Sequence, residues 1–200
     1  DEIRNTTRKK PKNRLKIIDK NKTFDINDIA SHELLEEAVE HFLSEIETKD
    51  YFIKETHQYT LCLSENFYSP YDKWIRVGWA LKNTHESLFI TWIAFSAQSD
   101  KFDYDKIPEF YEMWCRFDRC NDDGLTFRSI MYWAKNDNLK KYIEVREETI
   151  DYFVDKTIEN QTDFDFALVL YHMYKDDYVC VSIKKDIWYI YMNHRWEENE

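Results

Sequence analysis

Two aspartate pairs, Asp103/Asp105 and Asp163/Asp165, come closest in this chain to the carboxylate pattern of metal-assisted phosphoryl chemistry. Paired carboxylates at a strand end hold the two metal ions of nucleotidyl transfer. Both pairs fall instead where helical periodicity begins. There an aspartate caps free N–H groups and complements the helix dipole, and capping is the reading we adopt. The six histidines, His32, His41, His57, His85, His172 and His194, include none beside a serine or cysteine in a nucleophile context, so no triad is assigned. Cys115 and Cys120 invite a zinc reading. Their spacing straddles an expected helix end, and no second C-x-x-C or H-x-x-x-H pair completes a tetrahedral set. Together with Cys62 and Cys180 they read as free thiols of a reducing compartment. No catalytic, cofactor-binding or metal-ligating residue is assigned to this chain.

The group with physical content for binding lies near the C-terminus. Tyr178–Ile183 and Ile187–Tyr191 are β-branched and aromatic, and Lys184-Lys185-Asp186 between them has the length of a hairpin loop. Lys184 and Lys185 occupy that loop, Trp188 opens the second strand, and Arg195 follows it. A helix followed by a two-stranded wing with a basic tip and aromatics can contact a nucleic-acid backbone or stack on bases. The competing account makes the aromatics a core or a subunit contact and the lysines an ordinary exposed turn.

Glycine supplies the firmest exclusion. Gly78 and Gly124 are the only two in 200 residues. A phosphate-cradling loop needs clustered glycines so that backbone N–H groups can approach the anion. Neither a GxxxxGK[ST] loop nor a GxGxxG turn can be written here, so this chain by itself is neither a P-loop ATPase nor a dinucleotide-binding domain.

Composition, at 43% hydrophobic and 17% aromatic, is ample for a core. No apolar run of membrane-spanning length exists. The chain starts at Asp1 and ends at Glu200 after a strand-like run, and it reads as an excised part of something longer. The net charge of −11 is uneven: residues 1–22 carry nine Lys and Arg against Asp1, Glu2 and Asp19. A basic arm on an acidic body suits either a linker or an arm that touches nucleic acid.

Apolar periodicity places the elements that position these groups. Residues 1–25 read as a basic linker or tail, with a short strand at Leu15–Ile18. Ser31 caps a helix over 31–47. Residues 51–63 are ambiguous between helix and strand. Helices follow over 71–83, 86–98, 104–117, 127–136 (capped by Thr126) and 138–159. Trp74, Trp79, Trp92, Trp114 and Trp133 are spread through this tract, as expected where each helix docks against several neighbours. Gly78 inside a helix costs about 1 kcal/mol relative to alanine. Its compensation is expected to be close approach of a neighbouring helix or aromatic ring. Near residue 160 the pattern changes, to an apolar helix over 164–174 and the hairpin. The fold class expected is mainly α: a helical bundle domain over 26–159, then a small α+β unit from 160, a helix plus β-hairpin with a winged-helix-like end.

The strings YDKWIRVGWALKN, LFITWIAFSAQSDKF and GLTFRSIMYWAK resemble the type 2 primase C-terminal domain of the primase–helicases of nucleocytoplasmic large DNA viruses. TDFDFALVLYHMYKDDYVCVSI and IWYIYMNHRW resemble the start of the domain that precedes the superfamily 3 helicase in that family. The resemblance covers about residues 55–200. It implies a parent with an archaeo-eukaryotic primase domain upstream and a hexameric ATP-driven helicase downstream. ATP, Mg and DNA would be ligands of that parent, in the host cytoplasm or a viral replication compartment. The family's catalytic parts do not map onto this chain, so the resemblance assigns it a connecting role.

Overall fold

The computed structural model describes residues 26–117, 124–192 and 195–199. The strand expected at Leu15–Ile18, Cys120 and His194 lie outside the described residues. Contacts divide the chain into two compact units, Asp1–Leu139 and Lys140–Glu200. The division falls at the start of the longest helix, some twenty residues before the change of sequence pattern near 160.

The first unit is helical: α1 (His32–Ser44), α2 (Tyr51–Leu61), α3 (Glu65–Tyr68), α4 (Tyr71–Thr84), α5 (Phe89–Ser96), α6 (Ile107–Arg116) and α7 (Phe127–Asp137). Its centre is α5, FITWIAFS, apolar on nearly every side. Such a helix is stable only when surrounded, and α5 packs against α1, α2, α4 and α6. Phe89, Trp92, Ile93 and Phe95 are fully buried. Around Trp92 the aromatics close up: Trp74 stacks on it at 4.7 Å between ring centroids, and Trp114 and Phe117 lie at 5.7 and 5.4 Å. The Trp74 indole N–H donates to Ser96 Oγ at 2.7 Å, and that hydroxyl donates to the Trp92 carbonyl at 2.7 Å.

Gly78 on α4 faces this cluster. A Cβ at that position would stand 2.8 Å from Trp92 Cε2, so the absent side chain is what admits the indole. The close approach expected from the sequence is there.

The ambiguous stretch 51–63 is helical over Tyr51–Leu61. Its threonines are accommodated by donating back along the helix: Thr56 Oγ1 to the Phe52 carbonyl at 2.6 Å, and Thr60 Oγ1 to that of Thr56 at 2.7 Å. Ser31 caps α1 by accepting from Leu34 N, and Thr126 forms a capping box with Ser129 on α7. The sequence pattern gave no sign of α3. It is a single turn, started by Ser64 and tied to the end of α7. Asp137 accepts from Ser64 N at 2.7 Å and from Ser64 Oγ at 3.0 Å. At the other end of α7, Phe127 N donates to Thr84 Oγ1 at 2.7 Å, which fastens α7 to α4.

The second unit comprises α8 (Leu139–Asn160), α9 (Asp163–Tyr174) and strands β1 (Tyr178–Ser182), β2 (Ile187–Met192) and β3 (Arg195–Asn199). Tyr142, Val145, Thr149, Phe153 and Thr157 form the buried stripe of α8. Phe153 stacks on His172 of α9 at 4.3 Å. The sheet is antiparallel in the order β1-β2-β3. The two-stranded hairpin expected is thus a three-stranded meander. Its third strand, RWEEN, escaped the sequence reading because its charges hide the alternation of an edge strand.

Candidate nucleic-acid interface

The tip between β1 and β2 is a single 3-10 turn, Ile183–Lys185, closed by Asp186 in the left-handed region at φ 53°. Aspartate tolerates that conformation better than most residues. Ser182 Oγ accepts from Lys185 N at 3.3 Å, and Asp186 Oδ1 accepts from the Trp188 indole N–H at 2.9 Å. The turn therefore exposes both lysines and fixes the indole beside them.

Register decides which of the four expected residues meet. Trp188 pairs with Asn199, and Met192 pairs with Arg195. At about 3.3 Å per residue, the four steps from Trp188 to Met192 put Arg195 about 13 Å along the sheet from the tryptophan, and further from the lysines. Arg195 Nε is bound to Glu197 Oε1 at 2.7 Å. Lys184, Lys185 and Trp188 thus form one group at the tip, and Arg195 is not part of it.

The same register sorts the faces. Trp188, Ile190 and Met192 share one face with Tyr178 and Cys180 of β1. Tyr189 and Tyr191 share the other with Trp196, whose ring lies 5.1 Å from that of Tyr191. On the Trp188 face, Ala167, Leu170, Tyr171, Tyr174 and Lys175 complete a groove of about 620 Å³ with Tyr178. Trp188 is 42% exposed and Tyr171 58%. Lys175 Nζ lies 5.9 Å from the Tyr171 ring centroid. The sequence reading missed Tyr171, Tyr174 and Tyr178. For Tyr171 and Tyr174 the signal was the all-round apolar character of α9, whose buried residues are Asp165 and His172, and Tyr178 opens β1.

A surface of this kind can stack a planar ring or cover an apolar side chain, with cations at its end. Its surroundings are acidic: Asp176 and Asp177 precede β1, Asp186 closes the tip, and Glu197 and Glu198 lie on β3. Any attraction for a phosphate backbone is therefore confined to the lysines.

Both aspartate pairs serve helix starts. Asp103 Oδ1 accepts from Asp105 N at 3.1 Å, and Asp165 is held by Thr162, the N-cap of α9. Among the described residues no group of three His, Cys, Asp or Glu converges on a metal position. No helix among them is long and apolar enough to cross a membrane. His57 is buried, with Nδ1 2.9 Å from Thr91 Oγ1, and burial pushes its pKa down to about 4. It joins α2 to α5 as a neutral core residue.

Comparison with known proteins agrees with this architecture. Residues 56–134 match the family described as Primase C terminal 2 (PriCT-2), a span that runs from α2 through most of α7. The chain is 32% identical over 156 residues to a protein of Acanthamoeba polyphaga mimivirus that bears the name "Putative helicase L207/L206". That alignment covers 74% of this chain and 16% of the mimivirus protein, so the chain spans less than a fifth of the relative it matches. Residues 56–134 of the helical unit thus resemble a primase C-terminal domain, and the chain as a whole is similar to one part of a much longer viral protein named as a helicase.

Proposed function

We propose that this chain is a connector within a viral DNA-replication primase–helicase. It links a priming domain to an ATP-driven helicase of superfamily 3, and it has no catalytic centre of its own. The observation that carries this reading is the extent of the likeness. The aligned 156 residues are about twice the span of the primase C-terminal match, so the relationship continues beyond that domain. The residues fit such a role. Asp103 caps a helix start, Asp163 and Asp165 sit in the first turn of α9, and two isolated glycines leave no phosphate loop. ATP and Mg would bind elsewhere in the parent, DNA would be its substrate, and a hexamer its assembly. The purified chain should hydrolyse no ATP and extend no primer. Turnover that disappears when one of this chain's own residues is replaced would overturn the reading.

A second reading is favoured by one observation, the grouping of Lys184, Lys185 and Trp188 at the sheet tip. The tip would touch DNA within the parent, the lysines meeting phosphates and the indole a base. Replacing both lysines by glutamate should then weaken DNA binding and lower its salt dependence by about two phosphate contacts. Unchanged affinity and salt slope would leave the tip a plain turn.

A further inference from the structure

Helix α7, FRSIMYWAKND, departs from the charge of the chain around it. Acidic residues outnumber basic ones by 39 to 28 in the whole sequence, yet residues 124–136 carry Arg128 and Lys135 and no carboxylate. The helix buries Ile130 and Ala134. Arg128, Tyr132 and Lys135 recur at helical spacing on its outer side. All three are exposed, Tyr132 to 67%. An aromatic ring left so open between two cations contributes little to the core.

The stripe continues onto α3 and α4. Trp133 stands about 100° round the helix from Tyr132. The Arg76 guanidinium lies over its ring at 5.5 Å from the centroid, Lys73 Nζ lies over the Phe67 ring at 5.1 Å, and the two rings are 5.8 Å apart. Three other cations of this unit are paired with carboxylates: Lys82 with Glu86, Lys106 with Asp103 and Arg116 with Glu112. Lys73 and Arg76 are exposed and make no ion pair among the described residues. The nearest acidic residues on these elements have other roles. Asp137 accepts from Ser64, and Glu65 Oε1 accepts from Ser69 Oγ at 3.2 Å. Asp72 sits in the first turn of α4, where the helix dipole favours it. A guanidinium already resting on an indole loses little further freedom when it meets an oxyanion.

We propose that this face of α4 and α7 binds single-stranded DNA, with Arg76, Arg128 and Lys135 on phosphates and Tyr132 under a base. Cations interleaved with an open ring suit a single strand, whose unpaired bases are free to stack. An acidic peptide would use the charges and leave the ring idle. The choice of DNA rests on the reading of the parent as a replication enzyme. The site itself is separate from the sheet tip of the second unit.

Fluorescence anisotropy of the whole chain with a fluorescein-labelled oligothymidylate tests it. The triple variant Arg76→Gln, Arg128→Gln, Lys135→Gln should bind about tenfold or more less tightly. It should also lower the slope of log affinity against log salt by about 2, at about 0.7 for each phosphate contact. Tyr132→Ala should weaken binding about tenfold and leave the slope unchanged, because a stacked ring carries no charge. Arg128→Gln with Lys135→Gln, both on the exposed stripe, should give a smaller change of slope at an unchanged circular dichroism spectrum, which separates lost contacts from lost folding. No binding by the unaltered chain would overturn the proposal. So would affinities that ignore these variants and fall only with Lys184→Glu and Lys185→Glu, since the sheet tip would then be the DNA contact. Displacement of the strand by polyglutamate, with full binding by Tyr132→Ala, would assign the face to an acidic protein segment and overturn it as well. These affinities are measured on this chain alone, so a failure of the connector reading would leave them standing.

Discussion

Gly78 and Trp92 show how one absent side chain shapes the core. A methyl group at 78 would meet the indole at 2.8 Å, and Trp92 is fully buried among other rings with little room to move. Alanine gains about 1 kcal/mol in helix propensity, yet overpacking a close-packed core typically costs 1–3 kcal/mol. Gly78→Ala should therefore lower stability, read as a reduced urea midpoint; a higher midpoint would show that the indole can yield. His57 makes a second prediction. Its folded pKa of about 4 lies below its ordinary value of 6.5 because burial disfavours the charged form. Between those pH values the unfolded chain binds the extra proton, so stability falls as pH is lowered from 6.5 to 4. The contribution from His57 is about 3 kcal/mol at most. His57→Gln, which keeps an amide near Thr91 and does not titrate, should flatten that part of the stability–pH curve. An unchanged acid slope would remove His57 from the account.

Asp137 holds the start of α3 with two hydrogen bonds from Ser64, and α3 is otherwise a single turn that periodicity cannot reveal. Asp137→Ala should cost about 1.5–3 kcal/mol, the range for hydrogen bonds to a charged partner, measured by denaturant unfolding; a loss within error would mean that packing alone positions α3. α1, α4 and α6 could be read in advance because each buries one stripe against α5, and α5 announces itself by lacking a polar face. The cap residues Ser31 and Thr126 were readable for a chemical reason, the hydroxyl that accepts from the first turn. The candidate group at the sheet tip was readable only in part. Lys184, Lys185 and Trp188 are neighbours in the chain and remain so in the sheet. Arg195 depends on strand register, and register follows from the pairing of β3, whose charged sequence hides it. The aromatic groove was missed for a similar reason: apolar composition around α9 says that its surface is adhesive, not which residues are covered.

The molecule as a whole combines an excess of negative charge with two units of different character: a closed helical core and an α+β unit whose aromatic faces stand exposed. Such a pair suits a part that transmits between other parts. Phe164, Leu170, Tyr171 and Trp196 stand exposed, side chains of the kind that an interaction surface presents. A connector would cover them with neighbouring domains or subunits. The connector reading is tested most directly by the coding sequence that continues past Glu200. It predicts that the reading frame runs on into a GxxxxGK[ST] loop lying between a strand and a helix, the phosphate-binding element this chain cannot supply. A frame that terminates soon after Glu200 with no such loop would contradict it.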